Sequence, residues 1–163
     1  MPPDPEIFAL AKLLGERLRR SGRSLAVAES CTGGLLGAAV TDAPGSSGYF
    51  LGGVISYADR VKVDQLGVSD FVLRRHGAVS EEAAAAMATG VRQLFKADIG
   101  VSITGVAGPD AEGSKPAGLT FIGIAAETVT TQRFQWTGDR WDNRRRSVIA
   151  ALELLVRAPE LSR

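Results

Sequence analysis

Apolar residues recur along this chain with two alternating periods, one near four and one of two, and the alternation predicts the architecture. Asp4 and Pro5 read as an N-cap and first helical position, and the helix they open carries Ile7, Leu10, Ala11, Leu14 and Leu18 on one stripe. Ser21-Gly22-Arg23 closes it, and Ser24–Ala28 reads as a first strand. A helix then runs from Gly34 to about Asp42, broken by Ala43-Pro44-Gly45-Ser46-Ser47-Gly48. Tyr49–Tyr57 reads as a second strand, followed by short helical pieces around Asp59–Leu66 and Asp70–His76. Ser80 caps a long helix with Glu81 and Glu82 in its first turn and Ala84, Met87, Ala88, Val91, Leu94 and Phe95 on its apolar stripe. Ile99, Val101 and Ile103 alternate as a strand that ends in Thr104-Gly105-Val106-Ala107-Gly108-Pro109. Two strands, Leu119–Ala126 and Thr131–Trp136, form a hairpin, and a last helix covers about Trp141–Arg157. Strands alternating with helices and closing on a hairpin predict an α/β fold: a three-layer α/β/α sandwich around a mixed, mostly parallel sheet. No repeat, low-complexity tract or linker divides the chain, so residues 1–163 are expected to form one domain.

Composition narrows the chemistry. The net charge of +1 offers no global attraction for nucleic acid or an anionic membrane, and no apolar run is long enough to span a bilayer. Met1-Pro2-Pro3-Asp4-Pro5-Glu6 lacks the basic and apolar regions of a signal peptide. One cysteine excludes an intrachain disulfide framework and fits a reducing cytoplasm. With a single histidine and a single cysteine, no metal site is expected.

The most informative segment is Ala28-Glu29-Ser30-Cys31-Thr32-Gly33-Gly34, between the first strand and the following helix. A hydroxyl at a strand tip, followed by glycines that let a substrate approach the backbone, suits a nucleophile, and free N–H groups at the helix start suit an oxyanion or phosphate. An ordinary strand–turn–helix junction with a capping hydroxyl fits the same local pattern. A base for Ser30 can come from His76, which otherwise reads as a helix C-cap, or from Lys62 with Tyr57 in Gly52-Gly53-Val54-Ile55-Ser56-Tyr57-Ala58-Asp59-Arg60-Val61-Lys62. Parallel strands would bring Tyr57 and Lys62 to the end of the sheet that presents Ser30; a packed tyrosine and a solvated lysine are the plainer alternatives. In the run Arg144-Arg145-Arg146, Arg144 shares the stripe of Val148, Ala151 and Leu155 and is expected to point inward toward an anionic partner or substrate, with Arg146 on the surface.

Ala28–Gly34, Gly52–Lys62, Gly77-Ala78-Val79-Ser80-Glu81, Thr104–Pro109 with Lys115-Pro116, and Gly138-Asp139-Arg140 together resemble, in order and over nearly the whole chain, the motifs of the CinA C-terminal domain family. Its stand-alone members of the PncC type are nicotinamide-nucleotide amidases. The resemblance implies hydrolysis of the carboxamide of nicotinamide mononucleotide to nicotinate mononucleotide and ammonia, with no cofactor and no metal; a catalytically silent nucleotide-binding or regulatory module, and another small-amide hydrolase using the same residues, are the alternatives. It places the nucleophile at Ser30, its partners at Tyr57 and Lys62, and the arginine that follows the Gly-Asp-Arg motif at Arg144, or else Arg145. On this reading backbone groups around Thr32, Gly33 and Gly34 meet the oxyanion, and Thr104, Gly105 and Gly108 with Arg144 hold ribose or phosphate. The expected partner is the small nucleotide, not nucleic acid or membrane, and the expected assembly is a homo-oligomer. The loop Asp110-Ala111-Glu112-Gly113-Ser114 departs from the family pattern: it is slightly shorter, with Ala111 and Glu112 where glycine is frequent. Larger CinA proteins carry a further N-terminal domain, whose activities are not carried over.

Overall fold

The computed structural model describes residues 2–162; Met1 and Arg163 lie outside the described residues. Six α-helices and five strands follow the order expected: α1 (Pro5–Ser21), β1 (Leu25–Glu29), α2 (Leu35–Asp42), β2 (Phe50–Ile55), α3 (Asp59–Leu66), α4 (Asp70–His76), α5 (Glu81–Phe95), β3 (Ile99–Gly105), β4 (Leu119–Ala125), β5 (Val129–Gln135) and α6 (Arg140–Val156). The caps behave as their residue types dictate: Asp4, Ser69, Ser80 and Asp139 each accept backbone N–H groups at a helix start. The second strand is shorter than its apolar run, because Tyr49 is held in the preceding 3-10 turn by its N–H bond to the Ser46 carbonyl.

The sheet order is β2-β1-β3-β4-β5, with β1 parallel to β2 and β3, and the β3–β4 and β4–β5 pairs antiparallel. The sheet is mixed, and four of its five strands share one direction. Helices α1, α2 and α6 cover one face and α3, α4 and α5 the other, which makes the three layers.

The two faces are packed differently. Leu25, Val27, Val101 and Ile103 meet Leu14, Leu18, Val148 and Leu152 in the larger core. The opposite face presents Ala26, Ala28, Gly100, Ser102 and Gly123 to the alanine-rich α5. A Cβ on Gly100 would collide with the Ala88 carbonyl, and Ser102 Oγ donates to the Ala84 carbonyl at 2.6 Å, so α5 lies almost on the sheet backbone.

From β1 the chain passes first to β2 on one side and later to β3 on the other. The gap between the C-terminal ends of β1 and β3 is therefore a topological switch point, where open α/β sheets bind ligands. Register aligns those ends, Glu29 pairing with both Ile55 and Ile103, so that Ser30, Ser56-Tyr57 and the turn after Gly105 emerge together.

Candidate active site

A cavity of about 300 Å³ opens at this switch point, lined by Ser30 and Cys31 from the end of β1, Tyr57 from the end of β2, Val79, Gly105–Gly108 from the end of β3, Asp110, Glu112 and Arg140. Consecutive left-handed residues, Gly33 at φ 58° and Gly34 at φ 101°, turn the chain sharply from Ser30 into α2. That geometry would strain any residue bearing a Cβ.

Lys62 sits on α3, and its side chain runs back under the β2–α3 connection until it is only 1% exposed. Its Nζ lies 3.4 Å from Ser30 Oγ, 2.7 Å from the Ser56 carbonyl and 3.4 Å from the Tyr57 carbonyl. Nζ thus has an acceptor for each of three N–H groups, the two carbonyls and Ser30 Oγ; an amine that has lost one proton keeps the two carbonyl bonds and turns its lone pair to the Ser30 hydroxyl. Burial pushes the Lys62 amine below the ordinary lysine range, because desolvation penalises the ammonium, and Asp59, 3.7 Å away and exposed, offsets only part of this. Burial also pushes the Cys31 thiol up, to about 11, so the neighbouring sulfur stays protonated and is a poor nucleophile near neutrality.

Several expected roles come out differently. Tyr57 places its carbonyl, not its phenol, at Lys62; the ring is 62% exposed at the cavity mouth, and its hydroxyl accepts from Arg140 Nη2 at 3.3 Å. Ser56 points inward and Tyr57 outward, as extended chain alternates. Arg144 does point inward, but it finds carbonyls instead of an anion: Nε donates to Cys31 O at 3.0 Å and Nη2 to Thr32 O at 3.1 Å. It braces the Ser30 loop from behind, stacked over Trp141, and lies outside the cavity lining. Arg145 is engaged by Asp4 and Glu6 at the start of α1, and Arg146 by Asp142 on the surface.

The start of α2 is not a free anion site. The buried Glu29 carboxylate already accepts the N–H groups of Leu36 at 2.9 Å and Gly37 at 3.0 Å. Gly33 N–H is likewise committed, to the Ser30 carbonyl. The N–H groups of Cys31, Thr32 and Gly34 have no acceptor among the described residues and are left as candidate oxyanion donors. Thr104 is buried and donates its hydroxyl to the Ala78 carbonyl at 2.7 Å, which fixes the β3 end but keeps it from the cavity; Gly105 and Gly108 do line it. His76 pairs with Glu82 and is not part of the lining.

The residue missed in the sequence is Arg140. It opens α6, donates to the Gly108 carbonyl, and reaches across to Tyr57 as the one cationic side chain lining the cavity among the described residues. Its position just after the Asp139 cap was the available signal, since a first-turn side chain projects beyond the helix start. Asn143 closes the same corner, donating to the Ala107 carbonyl and accepting from Gly138 N–H. Among the described residues no group of three or more His, Cys, Asp or Glu is placed to hold a metal ion, and no helix is long and apolar enough to cross a membrane.

Fold and site thus define a three-layer α/β/α domain with a serine–lysine pair at its switch point. The chain belongs to the CinA C-terminal domain family, whose model matches residues 7–158. A CinA-like protein of Nostoc sp. is 46% identical over 162 residues, covering 91% of this chain and 38% of that protein. One from Mycolicibacterium gilvum is 48% identical, covering 85% of this chain and 33% of that protein. The chain thus spans about a third of the length of these curated relatives. Among solved structures, the competence/damage inducible protein CihA of Agrobacterium tumefaciens superposes with a TM-score of 0.92 at 34% identity, over 96% of this chain and 98% of that one. A CinA superfamily protein from Escherichia coli does so with a TM-score of 0.91 at 33% identity, over 96% and 92%.

Proposed function

We propose that this domain is an amidohydrolase that cleaves the carboxamide of nicotinamide mononucleotide, with Ser30 as nucleophile and Lys62 as general base. The observation that carries the reading is the Lys62 amine, buried and aligned on the Ser30 hydroxyl at 3.4 Å beside an open cavity. A surface lysine would stay protonated near neutrality; a desolvated one is neutral often enough to accept a proton.

In the first step the Ser30 proton passes to Lys62 Nζ while Oγ forms a bond to the carboxamide carbon, and the carbonyl oxygen becomes an oxyanion facing the free N–H groups of the Cys31–Gly34 turn. Collapse of this intermediate breaks the C–N bond, and the Lys62 ammonium returns its proton to the departing nitrogen, which leaves as ammonia. Water then attacks the Ser30 ester, giving up a proton to Lys62; as the acyl–Oγ bond breaks, the Lys62 ammonium returns that proton to Oγ, so the carboxylic acid is released and Ser30 and the neutral amine are regenerated. Arg140, at the mouth, supplies positive charge for the phosphate, and the exposed Tyr57 ring offers a face to the pyridine.

The test is ammonia release from nicotinamide mononucleotide. Ser30→Ala is expected to lose on the order of 10⁴-fold or more in kcat while remaining folded, as nucleophile deletions do. Wild-type mixed with substrate and quenched is expected to show the acyl adduct on the Ser30 peptide by mass spectrometry. Turnover by Ser30→Ala close to wild-type would refute the covalent route.

A further inference from the structure

The face that α6 turns to the sheet begins with polar residues where apolar ones are the rule. Arg140, Asn143 and Ser147 follow one another at helical spacing, and Asn143 and Ser147 are buried. Neither is left unpaired. Ser147 Oγ donates to the Asn143 carbonyl at 2.8 Å and accepts from Trp136 Nε1 at 3.0 Å, beside Thr120 Oγ1 at 3.3 Å. These contacts tie α6 to β4 and to the residue that follows β5, and so fix the register of the helix on the sheet.

Asn143 reaches further. Its Nδ2 donates to the Ala107 carbonyl at 3.0 Å, and its Oδ1 accepts the Gly138 N–H at 3.0 Å. Gly138 precedes the Asp139 cap, and Ala107 belongs to the turn after β3 that lines the cavity. The amide therefore joins the start of α6 to the cavity wall. One residue along that wall, the Gly108 carbonyl accepts from Arg140 Nη1 at 2.6 Å. Two consecutive carbonyls of the turn are thus held from one face of α6, the first by a buried amide and the second by an exposed guanidinium.

The two rungs are unequal. Hydrogen bonds of an exposed arginine compete with water and with the freedom of a long side chain, so the bond to Gly108 is too weak to keep Arg140 in place by itself. The buried bond has no such competition, and a bare Ala107 carbonyl would carry its full desolvation cost. A buried amide with both functions partnered fixes one arrangement, where an apolar residue of the same size would fill the space and allow several. That arrangement sets the separation at which the guanidinium bridges from Gly108 to Tyr57.

Resting on the amidase reading above, we infer that Asn143 is a positioning residue that acts through Arg140, holding its guanidinium at the cavity mouth for the phosphate of the substrate. Nη1 stays on Gly108 while Nη2 leaves Tyr57 for the phosphate. Orienting the arginine in advance lowers the entropy lost when ligand binds. The contribution of Asn143 therefore falls on affinity for the nucleotide and not on the Ser30–Lys62 chemistry.

The test compares kcat/KM for ammonia release from nicotinamide mononucleotide and from nicotinamide riboside, which lacks the phosphate. Asn143→Leu removes both amide bonds at similar volume and is expected to lower the nucleotide-to-riboside ratio about three- to tenfold, through KM for the nucleotide. Asn143→Asp keeps the acceptor for Gly138 but sets a second acceptor against the Ala107 carbonyl, and it is expected to do the same even if Asn143→Leu fails to fold. In an Arg140→Ala background either substitution is expected to move KM for the nucleotide by less than about twofold, because the residue it acts through is gone. This cycle decides the matter even where the riboside is a poor substrate. Equal losses for the two substrates, or the same rise in KM without Arg140, would make Asn143 a structural tie and overturn the inference. A wild-type enzyme that releases no ammonia from the nucleotide refutes the amidase reading instead; release with an unmoved ratio refutes the positioning role alone.

Discussion

The floor and the mouth of the same cavity are built on opposite principles. At the floor, Ser30 and Lys62 are held by backbone: the amine is fixed by the Ser56 and Tyr57 carbonyls, and the serine loop is pinned through Cys31 O and Thr32 O by Arg144. At the mouth, Tyr57 and Arg140 meet each other as exposed side chains at 3.3 Å and are free to exchange that contact for a ligand. The difference is one of solvent. A buried amine can be a base because water is excluded from it, whereas an exposed guanidinium keeps its charge and can only attract. Arg140 and Arg144 make the contrast within one helix, since a single turn separates a residue that faces the cavity from one that faces main chain.

Substitution at the floor is expected to have the largest effect. Lys62→Arg should lower kcat about 10³-fold, since a guanidinium does not deprotonate at working pH, and Lys62→Ala should be partly rescued by small primary amines. The wild-type rate should rise with pH through the folded-state pKa of Lys62, because that pKa is lowered and the neutral amine is the active form. Rising stability accompanies it: the unfolded chain binds the lysine proton more tightly, so the cost of burying Lys62 falls between its folded pKa and the ordinary lysine value of about 10.4. A pH–rate profile for wild-type beside Lys62→Arg measures this directly, and an undiminished Lys62→Arg enzyme would make Lys62 an anchor.

Next in size is the brace. Arg144→Ala should release the nucleophile loop, lowering kcat about 10- to 100-fold and the Tm by several degrees, with KM little changed; thermal melts and steady-state kinetics separate the two readouts. Arg140→Ala should do the reverse, raising KM for the nucleotide about tenfold with kcat nearly intact. If Arg140→Ala lowers kcat instead, the mouth takes part in the chemistry and the contrast fails. Smallest is Tyr57→Phe, expected within about threefold of wild-type in kcat because only the Tyr57 carbonyl reaches Lys62. A hundredfold loss would restore the phenol to the proton path.

Much of this arrangement was legible in the chain. The caps Asp4, Ser80 and Asp139 mark helix starts because their side chains satisfy orphan N–H groups, a strictly local bond. The pairing of Ser30 with Lys62 was also within reach, since both follow parallel strands and so emerge at one end of the sheet. Local pattern was a poor guide wherever a side chain's destination lay on another element. Thr104 turned to Ala78, and Arg144 turned to a loop 112 and 113 residues away.

What the sequence determined by itself is therefore the alternation of strand and helix, the three layers it forces, and the presence of a hydroxyl and an amine at one edge of the sheet. These follow from periodicity, capping and chain direction, which act over a few residues. Tertiary structure alone decided that Lys62 is dry, that Tyr57 faces outward, and that Arg140 rather than Arg144 meets the cavity. Each of those outcomes depends on desolvation and on which carbonyls stand opposite, and neither exists until the layers have packed.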